Sequence, residues 1–229
     1  MDLSINDTNL LTYNEIKNNI RPFDAIFLRG DNIINEMINI VDKYKLTSVY
    51  NVGIVVTADV LPYCNINYCP KNRYLPSNMK DEPFHLDSNK LYILKSTSDF
   101  NLADKGTFGV QLRELADNND KTKVAWCKLL INPYNKIGDE TDDELNFRRE
   151  KLKINFMNFF GTMYPTLHTD INDKTYKDIT QPFSSELILS VYQMLNVIPQ
   201  SFKDLLPNDF LTYDKLIIDK PIYIKDWLY

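Results

Sequence analysis

Glycine is scarce in this chain, with 6 residues in 229, which argues against a fibrous or low-complexity protein. Cysteine is also scarce, since the chain has 3 cysteines and a secreted domain of this size more often has paired ones. Residues 1–10 show no basic segment followed by an apolar run, and no apolar run approaches the roughly 20 residues that cross a bilayer. We therefore expect reduced thiols, no transmembrane segment and no secretion.

An excess of basic residues is missing as well, because 26 Lys and Arg face 31 Asp and Glu, for a formal net charge of −5. A protein that binds nucleic acid needs Lys and Arg to replace the counterions of the phosphates. The balance therefore predicts a protein or small-molecule partner and no nucleic acid. Asn, Ile, Lys, Asp and Tyr are abundant and have codons rich in A and T, as in large DNA viruses or AT-rich protists. We accordingly expect a cytoplasmic or virion location.

The composition is otherwise that of an ordinary globular protein, with 44% hydrophobic and 25% charged residues. A chain of 229 residues can bury one sizeable core, and no internal repeat or linker divides it. We predict a single domain over residues 1–229 with its core at about 22–210. Residues 64–90 hold three prolines among polar residues and are predicted to be a loop or insertion. Residues 211–229 form a C-terminal tail.

Hydrophobic periodicity predicts an α+β protein. Apolar or aromatic runs of strand length predict strands at residues 23–29, 49–57, 91–96 and 123–131, and an edge strand within 216–229, while residues 109–115 supply apolar anchors. Apolar residues three and four positions apart predict helices at 10–20, 31–44 and 184–197. A further helix is predicted directly after the acidic run at 139–144, because negative charge is favourable at a helix N-terminus.

Two short blocks carry most of the functional information. Residues 50–56 read Tyr-Asn-Val-Gly-Ile-Val-Val, and residues 183–188 read Phe-Ser-Ser-Glu-Leu-Ile. Four further segments accompany them in a fixed order along the chain: Phe-Asp-Ala-Ile-Phe-Leu at 23–28, Ile-Leu-Lys-Ser at 93–96, Gly-Val-Gln-Leu at 109–112 and Pro-Asn-Asp-Phe at 207–210.

In this order the six segments resemble those of the permuted NlpC-type papain-like cysteine hydrolases, the YiiX-like group that has poxvirus and giant-virus members. The corresponding family segments read, in chain order, Gly-Asp-Ile-Val-Leu-Phe, His-Val-Gly-Ile, Val-Leu-Glu-Ala, Gly-Val-x-Leu, Phe-Cys-Ser-Glu-Leu and Pro-x-Asp-Phe. The resemblance covers residues 22–210. It implies a circularly permuted papain-like fold, in which a small antiparallel sheet or barrel packs on helices and the His precedes the Cys.

The chain departs from the family at all three catalytic roles. Ser184 stands where the family has the Cys nucleophile, Asn51 where it has the His base, and Lys95 where it has the acidic residue that orients the His. An amide cannot take up a proton at neutral pH, so Asn51 cannot act as the base. The resemblance therefore implies a catalytically inactive pseudoenzyme that serves as a binding or structural protein. Its expected partner is a protein, or an acyl or peptide ligand in the old cleft.

One catalytic alternative stays open, in which Ser184 works with Lys95 or His168 as a hydrolase or acyltransferase on an amide, ester or lipid. Burial lowers the pKa of a lysine and can turn it into a base. His168 precedes the last helix, and it and Glu186 are the candidates for further cleft residues. The non-catalytic interpretation has Ser184 cap its helix, Asn51 bond to backbone, and Lys95 reach solvent or pair with Glu186.

No metal and no cofactor are expected. Cys64, Cys69 and His85 form the one grouping that suggests zinc, but a structural zinc site needs four ligands at matched spacing and no fourth is evident. The acidic run at 139–144 lacks the spacing of a calcium-binding EF-hand, so we expect a solvated helix start there.

Overall fold

The computed structural model describes residues 10–28, 51–65, 83–97, 109–116, 123–163, 184–202, 219 and 222–228. Within these ranges the chain forms one seven-stranded sheet, a separate two-stranded sheet and four helices. This is the α+β architecture that the periodicity predicts. None of the helices in the described ranges combines the length and the apolar character that a bilayer crossing requires.

Most of the strands and helices are short. The strands are β1 (Leu10–Leu11), β2 (Ala25–Leu28), β3 (Asn51–Val56), β4 (Tyr63–Asn65), β5 (Pro83–His85), β6 (Tyr92–Thr97), β7 (Gly109–Glu114), β8 (Lys123–Cys127) and β9 (Ile222–Ile224). The helices are α1 (Tyr13–Ile16), α2 (Asp142–Met163), α3 (Ser184–Met194) and α4 (Lys225–Leu228). The large sheet has the order β1-β9-β8-β2-β3-β6-β7, and β4 pairs with β5. Every pair is antiparallel except β1 with β9.

Two hydrophobic clusters cover opposite sides of the large sheet, because successive side chains of a strand point to opposite faces. The α3 face carries Val52, Ile54, Val56, Leu94 and Leu112, which pack in one cluster with residues of α3 and with Phe156 of α2. The α1 face carries Ile26, Leu28, Val55, Ile93 and Trp126, which pack in the other cluster with Ile16 and Ile20. The helices α2 and α3 therefore pack on one face of the sheet, and the short α1 and Ile20 pack on the other.

The predicted helix at residues 10–20 is confirmed only over Tyr13–Ile16, since residues 10–11 form a strand and residues 17–20 are not helical. Leu10 and Leu11 form β1, which pairs in parallel with Tyr223 and Ile224 of β9, and α1 begins only at Tyr13. The local pattern is compatible with a helix, but the C-terminal tail offers a strand partner that sequence periodicity does not register. The tail strand was also predicted at the edge, and β9 instead lies between β1 and β8.

The other predicted elements within the described ranges are confirmed with shorter bounds, including the helix after the acidic run. Thr141 begins α2 with a capping box: its backbone N donates to Glu144 Oε2 at 2.8 Å, and Glu144 N donates to Thr141 Oγ1 at 3.3 Å. β4 and β5 join the two ends of the predicted insertion at 64–90, of which 66–82 lies outside the described residues. The predicted helix at 31–44 and the segment at 207–210 also lie outside them.

Candidate functional site

The three positions where the resemblance expects catalytic groups lie on three elements that pack together. Asn51 is the first residue of β3, Lys95 is the fourth residue of β6, and Ser184 is the first residue of α3. β3 and β6 are neighbours in the sheet, and α3 packs against both. The fold therefore brings the three elements into one region.

Hydrogen bonds through Phe23 link the C-terminal end of α3 to the C-terminal half of β3. Tyr192, near the end of α3, donates its hydroxyl to Phe23 O at 2.9 Å, and Phe23 N donates to Val55 O at 2.8 Å. The eight residues from Ser184 to Tyr192 rise about 12 Å in a helix, and the four from Asn51 to Val55 span about 13 Å in a strand. Segments of similar length therefore separate the start of α3 from Tyr192 and the start of β3 from Val55.

Lys95 nevertheless belongs to the face of the sheet away from α3. The pairing of β6 with β7 runs without a bulge from Tyr92 to Thr97, so the side chains alternate throughout. Leu94 packs on the α3 face and Ile93 on the α1 face, which puts Lys95 in the row of Ile93. The Lys95 side chain is 6% exposed there. This arrangement argues against a dyad of Ser184 with Lys95.

The remaining candidate residues are placed only by their backbone or not at all. The Cα of Asn51 pairs with that of Leu28, a residue of the α1-face cluster. Glu186 is the third residue of α3, and its side chain, like those of Asn51 and Ser184, is outside the described part of the structure. His168 lies outside the described residues altogether. A role for His168 and Glu186 in the cleft therefore stays a prediction.

A buried carboxylate beside the other end of β3 is a feature that the sequence analysis treated only as part of a strand. Asp24 is fully buried at the start of β2. Its Oδ2 accepts hydrogen bonds from Arg21 N at 2.9 Å and from Trp126 Nε1 at 3.0 Å. Its Oδ1 accepts from Leu129 N at 3.0 Å and from Asn132 Nδ2 at 3.3 Å. These bonds tie the entry of β2 to the residues that follow β8.

The surroundings of Asp24 identify it as a structural group. Burial raises the pKa of its carboxyl, and the four hydrogen bonds to its oxygens oppose that rise. Asn132 Nδ2 also donates to Pro22 O at 2.7 Å, so the amide braces the same turn. A carboxylate whose oxygens already accept four hydrogen bonds is poorly placed to exchange protons with a substrate. An acidic residue that opens an apolar strand is the sequence signal that could have found it.

The Cys64, Cys69 and His85 grouping is not seen as a metal site in the described ranges. Cys64 is buried and His85 is exposed, and they lie on neighbouring strands without being paired, because Tyr63 pairs with His85 and Cys64 with Phe84. Among the described residues, no three His, Cys, Asp or Glu side chains group in a way that could hold a metal. Cys69 lies outside those residues.

Comparisons of this chain with family models, with curated proteins and with solved structures found no match. Any relationship therefore depends on the six sequence segments and on the places that the fold gives them.

Proposed function

We propose that this protein is a catalytically inactive relative of the permuted NlpC-type papain-like hydrolases and acts as a binding or structural protein, with a virion as one setting. The observation that carries the proposal is a contrast within the motif segments. Asp24, Gly53 and Leu187 agree with the family motifs and have structural roles in the described part of the fold, whereas all three positions that the chemistry needs carry other residues.

Three motif residues that agree with the family show this structural role. Asp24 is the fully buried carboxylate that accepts four hydrogen bonds. Gly53 allows β3 to approach β6 closely, because a Cβ there would lie 2.7 Å from the Ile93 side chain and 3.0 Å from Leu94 O. Leu187 is fully buried between α3 and the sheet. These residues maintain the packing of β2, β3 and α3, with or without catalysis.

The backbone at Phe23 adds a second line of support. The family segment has Gly at this position, and Phe23 adopts a φ of 71°, in the left-handed region that Gly enters without strain. The ring of Phe23 is fully buried and packs edge-on against Phe156, with ring centroids 5.4 Å apart. The bend that a Gly would make is thus present although the residue has changed, and core packing of the ring offsets the strain.

The three substituted positions lack the base, the nucleophile and the orienting acid that the reaction requires. Asn51 cannot take up a proton, and a Ser184 hydroxyl needs an adjacent base to become a nucleophile. Lys95, the one substituted residue with a titratable nitrogen, lies in the row of Ile93 on the face away from α3. The protein we propose therefore keeps a papain-like fold but lacks the groups that papain-like catalysis requires.

A serine-directed fluorophosphonate probe, read by intact-protein mass, tests the proposal. The wild-type protein is expected to gain no adduct beyond that of the Ser184→Ala variant and of heat-denatured protein. An adduct that forms on Ser184 in the folded protein and is lost in Ser184→Ala would overturn the proposal in favour of the hydrolase or acyltransferase. Native mass spectrometry of the protein purified without detergent then divides the two non-catalytic roles: a retained acyl or peptide mass supports ligand binding, and its absence supports a structural role.

A further inference from the structure

The long helix α2 exposes large apolar side chains to solvent. Phe147 is 76% exposed and Ile154 is 56% exposed, whereas Leu145 and Phe156 of the same helix are buried. At about 100° per residue, Phe147 and Ile154 lie within about 20° of one another around the helix axis, and the two buried residues lie about 160–180° from Phe147. α2 therefore has an apolar side that packs in the core and a second apolar side that faces outward.

Four exposed polar residues share this outward side with Phe147 and Ile154. We call the set the α2 stripe, and its members are Asp143, Phe147, Glu150, Lys151, Ile154 and Asn158. The stripe is symmetric about the midpoint between Glu150 and Lys151. Reversing the helix direction there exchanges Phe147 with Ile154, Glu150 with Lys151 and Asp143 with Asn158.

We propose that the α2 stripe is the contact surface for a second copy of this chain, with the two α2 helices packed antiparallel across a twofold axis. In that arrangement Phe147 of each copy meets Ile154 of the other, and Glu150 of each copy faces Lys151 of the other. A twofold interface needs a surface that complements itself, and opposite charges at exchanged positions supply that complementarity. The proposal is independent of the papain-like assignment, because it uses only residues of α2.

One ion pair within a single copy competes with the proposed contacts. Glu150 Oε2 lies 3.3 Å from Lys153 Nζ of the same helix, but an exposed i,i+3 pair contributes little and rearranges readily. A single pair of helices buries less than the roughly 800 Å² per partner of a standard interface, so the dimer is weak and forms only at high protein concentration.

Sedimentation velocity on the full chain from about 1 µM to about 500 µM tests the proposal, since this range brackets the affinity of a small interface. The wild-type protein is expected to shift from monomer to dimer. Glu150→Lys and Lys151→Glu each place like charges opposite one another twice, and each should raise the dimer Kd by at least about tenfold. The double variant restores both pairs and should dimerise like the wild type. An equimolar mixture of the two single variants should form a heterodimer.

A substitution of Phe147 tests the apolar part of the α2 stripe, and a substitution of Asn146 is its matched control. Phe147→Asp should abolish the dimer, whereas Asn146→Asp adds the same charge at the neighbouring exposed position, about 100° around the helix, and should leave it intact. Circular dichroism verifies that both variants keep their helix content. A wild-type protein that stays monomeric over the whole range overturns the proposal, as does a dimer that survives both single charge variants.

Discussion

Replacing Asp24 by Asn keeps the shape of the side chain but turns one of its two acceptor oxygens into a donor. Whichever way the new amide is oriented, its NH2 group faces two of the four donors that now bond to the carboxylate. A buried donor left without an acceptor costs about 1–3 kcal/mol, so two donors cost about 2–6 kcal/mol. Burial already disfavours the ionised carboxyl, as its raised pKa shows, and removing that charge offsets part of the loss. We expect a net destabilisation of about 2–4 kcal/mol.

Urea unfolding followed by tryptophan fluorescence measures this loss. Trp126 donates directly to Asp24, so its emission also reports on the bond that the substitution removes. Asp139→Asn is the matched control, because it makes the same chemical change at an exposed position and is expected to alter stability by less than about 0.5 kcal/mol. If Asp24→Asn lowers the stability as little as the control does, the four hydrogen bonds to Asp24 do not stabilise the fold as argued.

The pH dependence of the stability difference between the wild type and Asp24→Asn tests how burial affects the ionisation of Asp24. Burial raises the folded-state pKa of Asp24 above the ordinary value of 3.8, so the folded state holds the proton more tightly than the unfolded state does. The contribution of Asp24 is therefore complete below pH 3.8 and is lost progressively as the pH rises through the folded-state pKa. The stability advantage of the wild type over Asp24→Asn should shrink over that window. An advantage that grows with pH would mean that hydrogen bonding to the ionised form outweighs burial.

Three further predictions concern the packing and the helix start. Phe23→Gly and Phe23→Ala each remove a buried ring and should each lower the free energy of unfolding by about 3–5 kcal/mol. Because residue 23 has a φ of 71°, the Gly variant should be more stable than the Ala variant by about 1 kcal/mol. This is the reverse of the usual order, in which Ala is more stable than Gly. Gly53→Ala should lower the urea midpoint by the equivalent of about 1–3 kcal/mol, and adding Ile93→Val should recover part of it by removing a methyl that lies 2.7 Å from the new Cβ. Thr141→Ala should cost about 0.5–2 kcal/mol, measured by thermal unfolding, because the capping box with Glu144 is lost. An unchanged order of the Phe23 variants, no recovery by Ile93→Val, or an unaltered Tm in Thr141→Ala would contradict the respective argument.

The elements that the sequence predicts well are those set by local chemistry. The apolar run before Thr57 is rich in β-branched residues and has the length of a strand, and β3 forms there. The acidic run at 139–144 signals the start of α2, which begins within it at Asp142, and apolar spacing signals α3, which begins at Ser184. Runs of this kind depend on neighbours in the chain, which the sequence displays directly.

The features that the sequence does not predict depend on partners far along the chain. Leu10 and Leu11 become a strand only because β9, more than 200 residues later, pairs with them. The donors to Asp24 from Trp126 and Leu129 come from the far side of β2. Alternation puts Lys95 in the row of Ile93, but which row meets α3 depends on how the helix packs.

The central proposal is that Ser184 is not activated as a nucleophile, and the pH dependence of thiol alkylation at its position tests it most directly. A Ser184→Cys variant in a Cys69→Ser background reacts with iodoacetamide at its new thiol, while the two native thiols in the described ranges are buried. The account predicts one sigmoidal pH profile that is unchanged when Lys95→Met or His168→Ala is added. A thiol pKa well below about 8.5 that returns to that value in either combined variant would contradict it, because it would reveal an activating base at the site.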